Sequence, residues 1–312
     1  MQTILGASGQ IANELAKALK QHYTSDIRLV SRNPHKVNDT DEVMASNLLD
    51  AEQTSQAVAG SDIVYLTVGL PMDTAMWVEQ FPQMMRNTIE ACKRHSAKLV
   101  FFDNTYMYPQ DSRILTEDTA FAPVGTKGKV RQQITENLLE EMNDSASTLQ
   151  AVICRAPEFY GPQATKSITN GLVFARIHQG KEPHVLLRDD KLRTLIWTPD
   201  ASRAMALIGN TAEAYGQTWH LPCDDNRLTY RQLIAEAEDV YGRPLPYKIL
   251  DRATMDERAK TRVAMRELQE LLPRYEEHNW FDSSKFQAKF PDFEITRYRQ
   301  GIEQIKAEAE TE

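Results

Sequence analysis

Residues 3 to 19 read Thr3-Ile-Leu-Gly6-Ala-Ser-Gly9-Gln-Ile-Ala12-Asn-Glu-Leu-Ala-Lys-Ala-Leu19. The residues before Gly6 form a short apolar run typical of a buried parallel strand, and apolar residues recur after Gly9 at helical spacing. Gly6 permits a tight turn, Gly9 lets the backbone approach a pyrophosphate, and the small Ala12 allows close packing of helix on sheet. The order of strand, glycine turn and helix therefore predicts a site where nucleotide phosphates rest on a helix N-terminus.

The second strand is predicted over Asp26-Ile-Arg-Leu-Val30 and is followed by Ser31-Arg32-Asn33-Pro34-His35-Lys36. NAD sites usually have an acidic residue here, which binds the ribose hydroxyls and would repel a 2′-phosphate. Arg32 can instead bind that phosphate through paired charge-assisted hydrogen bonds, and Ser31 can add another. The sequence therefore predicts NADP rather than NAD, the alternative being that these basic residues are solvated side chains of a loop.

The composition is that of an ordinary soluble, enzyme-sized chain of 312 residues, of which 41% are hydrophobic and can build a core. The formal net charge is −8 and the basic residues are dispersed rather than gathered into a stripe, so we expect no nucleic-acid partner. No apolar run reaches membrane-spanning length, and the first residues already belong to a strand. We therefore expect neither a membrane partner nor a leader segment.

The cysteines and histidines give no sign of a disulfide framework or a metal site. Cys92, Cys154 and Cys223 are far apart, and the histidines lack the close spacing that metal ligands show. We therefore expect a cytoplasmic protein without a metal site. We also expect it to be a monomer or a homodimer and to bind a small-molecule substrate.

Strand-like and helix-like segments alternate over the first half of the chain. Further strands are predicted over residues 62–68, 98–102 and 149–154, and helices over 74–95 and 129–142. This alternation predicts an α/β fold, a Rossmann-type doubly wound parallel sheet covered by helices on both faces.

In such a fold ligands bind beyond the carboxyl ends of the strands, so the candidate cofactor contacts are residues that follow strands. They are Gly6, Ser8, Gly9, Gln10, Ile11, Ser31, Arg32, Asn47, Leu48, Thr67, Val68, Pro157 and Phe159. Asn47 and Leu48 have an alternative interpretation, as a loop residue and a core leucine.

Two motifs carry a resemblance to a known family. One is Gly6-Ala-Ser-Gly9-Gln-Ile-Ala12, and the other is Arg155-Ala-Pro-Glu-Phe-Tyr160-Gly161-Pro162. They resemble the glycine motif and the Arg-x-x-x-x-Tyr-Gly-Pro segment of the extended short-chain dehydrogenases/reductases, which include nucleotide-sugar epimerases and dehydratases. The resemblance covers nearly the whole chain. It implies a Rossmann domain over residues 1–162, to which a segment of about 194–222 returns, and a smaller C-terminal substrate lobe over 163–312.

The chemistry of that family depends on a Ser or Thr after the fifth strand and on a Tyr and a Lys four residues apart on the next helix. By the resemblance, Asn104 stands at the Ser position, with Thr105 and Tyr106 beside it. Lys127 stands at the Tyr position and Arg131 at the Lys position. The usual Tyr-x-x-x-Lys pair is therefore missing.

The missing tyrosine leaves several candidates for proton transfer. The fixed charge of Arg131 would lower the pKa of Lys127 and make it a candidate acid or base. Tyr106 and Tyr108 are rival donors. If the register is shifted, Lys129 takes the role of the family's lysine. In a further alternative, Lys127, Lys129 and Arg131 form a solvated helix face or bind cofactor phosphates, and Tyr106 only lines the cleft.

Two functional hypotheses follow. The first is an NAD(P)-dependent oxidoreductase or epimerase that acts on a carbonyl or hydroxyl carbon of a small molecule or nucleotide sugar. Asn104 and Thr105 would hold the substrate oxygen, Lys127 or Tyr106 would transfer the proton, and Arg131 would order the nicotinamide ribose. The second is an NADP-binding sensor or partner-binding module without turnover, and the fold alone does not choose between them.

Overall fold

The computed structural model describes residues 1–162 and 165–311. Its strands are β1 (Gln2–Leu5), β2 (Ile27–Ser31), β3 (Glu42–Ala45), β4 (Ile63–Leu66), β5 (Lys98–Asp103), β6 (Ile114–Leu115), β7 (Ala151–Arg155), β8 (Glu158–Tyr160), β9 (His184–Leu186), β10 (Leu192–Arg193), β11 (Leu195–Trp197), β12 (Thr218–His220), β13 (Leu228–Thr229), β14 (Lys248–Leu250) and β15 (Trp280–Phe281).

The α-helices of the described residues are α1 (Gln10–His22), α2 (Ala51–Val58), α3 (Thr74–His95), α4 (Thr126–Asn143), α5 (Ala175–His178), α6 (Thr198–Gly209), α7 (Tyr230–Tyr241), α8 (Arg252–Thr261), α9 (Val263–Leu268), α10 (Ser284–Lys289) and α11 (Tyr298–Thr311). A π-helical turn (Asn170–Phe174) precedes α5, and the 3-10 helices Ala212–Ala214 and Gln269–Tyr275 follow α6 and α9. None of the helices in the described ranges has both the length and the apolar character needed to cross a membrane.

Seven strands form a central parallel sheet in the order β12-β7-β5-β4-β1-β2-β3. Strands β1 and β4 are buried along their whole length, which is why they read as short apolar runs rather than as alternating patterns. Helix α1 packs against α6 on one face, while α2, α3 and α4 pack together on the other. The predicted Rossmann-type doubly wound sheet is confirmed.

A further hydrophobic core lies beyond the central sheet and is built mainly from residues after position 159. Tyr160, Phe174 and Leu233 belong to it, together with Tyr298 and Ile305 of the last helix. Short strand pairs connect its parts: β8 with β11, β9 with β14, and β10 with β13. Strand β12 returns from this half of the chain and pairs with β7 at the edge of the central sheet.

Candidate active site

The carboxyl ends of the central strands lie along one edge of the sheet, because their pairings are all parallel. The structure brings the predicted site residues to this edge. Residues 6–11 follow β1, 31–32 end β2, 47–48 follow β3, 67–68 follow β4, 104–106 follow β5 and 157–159 follow β7.

The glycine turn after β1 is shaped by two different constraints. Gly6 has φ +97°, and a Cβ on it would lie 2.8 Å from the backbone nitrogen of Val68. A Cβ on Gly9 would meet only the carbonyl oxygen of Gly6, at 3.5 Å. Protein packing therefore requires glycine at position 6, whereas the space above Gly9 is open to a ligand.

Helix α1 begins at this turn without the usual capping groups. Gly9 supplies no capping side chain, and the first turn of α1 carries no acidic residue. Asp50 and Asp73, by contrast, cap α2 and α3. The N-terminal N–H groups of α1 can therefore receive the oxygens of a phosphate, which the helix dipole also favours.

The end of β2 lies beside this turn. The hydroxyl oxygens of Ser8 and Ser31 are 2.8 Å apart. Arg32 is exposed, and within the described residues its guanidinium has no hydrogen bond or ion pair. Its charge is therefore available to an anionic group next to the glycine turn.

Several predicted contacts have roles inside the fold. Gln10 accepts a hydrogen bond from the backbone of Lys166, and Thr67 donates to the carbonyl of Leu5. Leu48 is 6% exposed and packs in the core, while Asn47 is exposed after β3. Ile11 and Pro157 are buried. Val68 lies against Gly6, and the Phe159 ring stacks on Phe102 with 5.9 Å between the ring centroids.

The loop after β5 carries Asn104, Thr105 and Tyr106. Asn104 Oδ1 accepts from the backbone N–H of Tyr106, and Thr105 Oγ1 accepts from Arg274 Nη2 at 3.0 Å. The Tyr106 ring stacks on Trp77 with 5.9 Å between centroids, and Arg274 lies over it. Among the described residues, no group forms a hydrogen bond with the Tyr106 hydroxyl.

Burial raises the pKa of Tyr106, although the nearby positive charges of Arg274, Arg131 and Lys127 oppose the shift. The phenol is therefore protonated at neutral pH and is an acid rather than a base. Tyr108 is 1% exposed, burial raises its pKa to about 12, and its hydroxyl is bonded to Arg155 and lies 2.8 Å from His220 Nε2. Of the two rival donors, only Tyr106 has a free hydroxyl.

Lys127 is completely buried and is held by three side chains. Its Nζ lies 2.6 Å from Thr74 Oγ1, 2.5 Å from Glu267 Oε2 and 2.9 Å from Glu270 Oε1. We call these four residues the lysine clamp. The sequence had predicted Arg131 as the charged neighbour that tunes Lys127, whereas the structure places two carboxylates on its ammonium.

Glu270 also replaces the missing cap of α4. Its carboxylate accepts a hydrogen bond from the backbone N–H of Lys127 at 3.2 Å, in the first turn of the helix. A Cβ on Gly125 would lie 2.0 Å from Glu270 Oε2, so the helix begins at a glycine to leave room for this carboxylate. The negative charge at this helix end is favoured by the dipole.

Arg131 lies 4% exposed against Asp103, the last residue of β5. Its Nε and Nη2 both donate to Asp103 Oδ1, while Thr135 and Arg155 donate to Oδ2. Two arginines thus share one buried carboxylate, and each charge in the group has an opposite charge in close contact. Arg131 therefore stabilises the end of β5 directly beneath Asn104.

Sequence reasoning missed the partners of Lys127, Arg131 and Thr105. Asp103, Thr74, Glu267, Glu270 and Arg274 are ordinary polar residues in the sequence, and none belongs to a recognisable spacing. Glu267, Glu270 and Arg274 do lie three to seven residues apart in a charged stretch of the sequence, which is a signal that could have pointed to them.

Comparison with known proteins adds a family and a set of relatives of the same fold. Residues 3–220 match the model of the NAD dependent epimerase/dehydratase family. No curated protein sequence matches the chain significantly.

Solved structures match over almost the full length of both chains. A UDP-glucuronic acid 4-epimerase from Bacillus cereus, in complex with UDP-glucuronic acid and NAD, has a TM-score of 0.79 at 16% identity and covers 100% of this chain and 99% of its own. MoeE5 in complex with UDP-glucose and NAD has 0.78 at 17%, with 99% of both chains covered. The UDP-glucose 4-epimerase of Thermus thermophilus has 0.77 at 14%, also with 99% of both. At these identities the similarities establish the fold.

Proposed function

Because the chain belongs to the NAD dependent epimerase/dehydratase family, we propose that it is an NAD(P)-dependent enzyme acting on a carbonyl or hydroxyl carbon of a nucleotide sugar. The observation that carries the proposal is the glycine turn, where an uncapped helix N-terminus and the open space above Gly9 provide a phosphate site. The substrate class is suggested by full-length relatives that contain UDP-glucose or UDP-glucuronic acid.

The choice between NAD and NADP depends on Arg32. Its exposed, unbonded guanidinium beside Ser31 supports NADP, since it can neutralise a 2′-phosphate. The related structures contain NAD, so the preference for NADP is a proposal specific to this chain.

Tyr106 is the proposed proton donor. Its hydroxyl is free, it follows β5 beside Asn104 and Thr105, and its raised pKa keeps it protonated. When bound, the nicotinamide supplies the hydride that reduces a substrate carbonyl carbon. Tyr106 gives its proton to the carbonyl oxygen, which becomes a hydroxyl, and the phenolate regains a proton from water.

Asn104 and Thr105 orient the substrate oxygen in this proposal. The Oδ1 of Asn104 is used by the backbone of Tyr106, which leaves its Nδ2 to donate to the substrate oxygen. The Thr105 hydroxyl is held by Arg274 and shares the same loop. These contacts fix the loop geometry before substrate binds.

Lys127 and Arg131 have structural roles in this proposal rather than the proton-transfer and ribose-ordering roles predicted from the sequence. The Lys127 ammonium is surrounded by acceptors, and Arg131 is nearly inaccessible. The lysine clamp connects α3 and α4 with the segment 263–275, and so holds that segment over the carboxyl edge of the sheet.

We propose the division of the chain expected from its sequence, with a Rossmann domain over 1–162 and a substrate lobe over 163–312. The separate hydrophobic core after position 159 and the return of β12 to the central sheet support it. The boundary adjoins residues 163 and 164, which lie outside the described residues. The cytoplasmic location and the monomeric or homodimeric state stay predictions.

The second candidate function is cofactor sensing without turnover. One observation favours it, namely that the buried cations Lys127 and Arg131 are both held in ion pairs. The sequence resemblance predicts these two residues at the positions of the family's Tyr and Lys. In this case the protein would bind the dinucleotide and present a cofactor-dependent surface.

The experiment that separates these functions begins with calorimetric titration of NADPH and NADH into the purified protein. UDP-glucose and UDP-glucuronic acid are then incubated with the complex, and the nicotinamide absorbance and the sugar NMR spectrum are followed. Cofactor oxidation or a changed sugar supports the enzyme. Dinucleotide binding with no change in either sugar or in a panel of carbonyl compounds supports the sensor, and no dinucleotide binding contradicts both.

A further inference from the structure

Arg274 belongs to the C-terminal half of the chain, but its side chain lies against the loop after β5. Its Nη2 donates to Thr105 Oγ1 at 3.0 Å, and the central carbon of its guanidinium lies 5.4 Å from the centroid of the Tyr106 ring. One side chain therefore contacts both the residue proposed to orient the substrate oxygen and the residue proposed to donate the proton.

The backbone of Arg274 is held on both sides. Its N–H donates to Gln110 Oε1 at 3.1 Å, and its carbonyl oxygen accepts from Arg193 Nη1 at 2.6 Å. The same segment carries Glu267 and Glu270, the two carboxylates of the lysine clamp, which connect it to helix α4. These contacts fix the place of the Arg274 guanidinium before any substrate binds.

The hydrogen bond from Arg274 decides how the Thr105 hydroxyl can be used. Thr105 is buried, and its Oγ1 accepts from the guanidinium, while no acceptor within the described residues takes its proton. A threonine hydroxyl donates one hydrogen bond and can accept two. The O–H of Thr105 is therefore left to donate to the substrate oxygen.

Arg274 is also the cation near Tyr106 whose charge is not already paired. The lysine clamp holds Lys127, Arg131 pairs with the carboxylate at the end of β5, and Arg274 forms no ion pair within the described part of the chain. Helix α3 contributes only an uncharged tryptophan ring. Burial raises the pKa of Tyr106, and the charge of Arg274 opposes this shift most strongly. Glu158, itself in a buried ion pair, raises the pKa, while Arg131 and Lys127 lower it less than Arg274 does.

Donation of the proton leaves a phenolate on Tyr106, with negative charge spread over the oxygen and the ring. A cation over the ring stabilises this anion more than the neutral phenol, so its effect grows as the proton is transferred. We propose that Arg274 is a positioning residue for proton transfer, which orients the Thr105 hydroxyl and stabilises the negative charge that develops on Tyr106. The inference rests on the proposed function, since it adds a residue to the same site.

The first test measures the ionisation of residue 106 directly. Difluorotyrosine, a phenol that ionises at lower pH than tyrosine, is introduced in place of Tyr106 alone, and its fluorine NMR signal is followed as the pH rises. Arg274→Gln removes the charge but keeps a donor for Thr105, and should raise the midpoint of this titration by about one pH unit. Arg274→Met, a second variant without the charge, should raise it similarly, whereas Arg274→Lys should leave it nearly unchanged.

The matched control is Arg266→Gln, because Arg266 is an exposed arginine of helix α9 that donates to the carbonyl of Ala259. It should leave the midpoint where it is in the wild type. The titration needs neither cofactor nor substrate, so its result is independent of turnover. Equal midpoints in the wild type and in the charge-free variants Arg274→Gln and Arg274→Met would overturn the inference and leave the proposed function intact.

The second test measures turnover in the protein with natural Tyr106. For the sugar or carbonyl compound that the wild type converts, Arg274→Gln should lower kcat about three- to tenfold, and Arg274→Lys should restore most of the rate. Wild-type kcat in Arg274→Gln would overturn the inference alone. Absence of turnover by the wild type with every sugar and carbonyl compound tested would overturn the proposed function and the role of Arg274 together.

Discussion

The ammonium of Lys127 lies 2.5 Å from the carboxylate of Glu267, a residue 140 positions further along the chain. Lys127 is fully buried, and Glu270 reaches the same ammonium. Lys127, which the sequence resemblance predicts at the position of the family's catalytic tyrosine, thus links helix α4 to the C-terminal half of the chain.

Replacement of Lys127 by Met should therefore reduce stability. The two glutamates would be left close together without a counter-ion, and loss of one partner from a buried pair costs about 3–5 kcal/mol. Because both glutamate side chains are 19% exposed, we expect a smaller loss of about 2–3 kcal/mol in the free energy of unfolding, measured with urea. Lys129→Met, on the exposed side of the same helix, is the control. Unchanged stability with abolished turnover would instead assign Lys127 to proton transfer.

Tyr106→Phe should reduce turnover by about 10²–10⁴-fold, because it removes the proposed proton donor. Cofactor affinity and stability should change little, since no described residue bonds to this hydroxyl. Tyr108→Phe should show the opposite result. Its buried hydroxyl is bonded to Arg155 and Thr116, so we expect a loss of about 1–3 kcal/mol in stability with turnover retained. Steady-state rates and urea unfolding of both variants measure the contrast, which a fully active Tyr106→Phe would contradict.

The pH dependence of carbonyl reduction should follow the ionisation of Tyr106. Burial raises the pKa of this phenol above its ordinary value of 10.0, and the reaction requires the protonated form. The ionisation of Tyr106 should therefore leave kcat/KM for reduction unchanged near neutral pH. The kcat/KM should fall as the pH rises through the raised pKa of Tyr106. Tyr106→Phe should lose this alkaline limb. A limb that persists in that variant would assign the ionisation to another group.

The sequence predicted the elements that depend on local pattern. Strand β1 is the apolar run before Gly6, helix α3 has the predicted bounds, and the site residues do follow the strands as expected. Strand β3 was missed, because Glu42–Ala45 is mostly exposed and shows no apolar pattern. Helix α4 begins at Thr126 rather than at Lys129, since its cap comes from Glu270 rather than from a residue next to it.

The ion pairs of the site could not be predicted from the sequence, for a related reason. Lys127 and Arg131 lie four residues apart on one helix, so the spacing could predict only that these two side chains are close to each other. Their counter-ions come from the end of β5 and from a segment about 140 residues away. Such pairings depend on how the C-terminal half packs against the sheet.

The cofactor preference is tested by Arg32→Ala. If Arg32 binds a 2′-phosphate, the variant should lose about 1–3 kcal/mol in NADPH binding and almost nothing in NADH binding. Calorimetric titrations of both cofactors provide the measurement. Lys36→Ala is the control, because Lys36 lies in the same loop but donates to the carbonyl of Asp39. Equal weakening of NADPH and NADH by Arg32→Ala would contradict the assignment and favour NAD.

The two glycines of the first turn should respond differently to alanine. Gly6→Ala places a Cβ 2.8 Å from the backbone of Val68 at a φ of +97°, so we expect a loss of about 1–3 kcal/mol in the free energy of unfolding. Gly9 has an ordinary φ of −92°, and its Cβ would touch only Gly6 at 3.5 Å, so Gly9→Ala should change stability by less than about 0.5 kcal/mol. It should nevertheless weaken dinucleotide binding, because the added methyl occupies the space through which the pyrophosphate approaches α1. Urea unfolding and calorimetry on the same samples separate these effects. A stable Gly9→Ala protein with wild-type affinity for both cofactors would show that the phosphates do not bind at this turn.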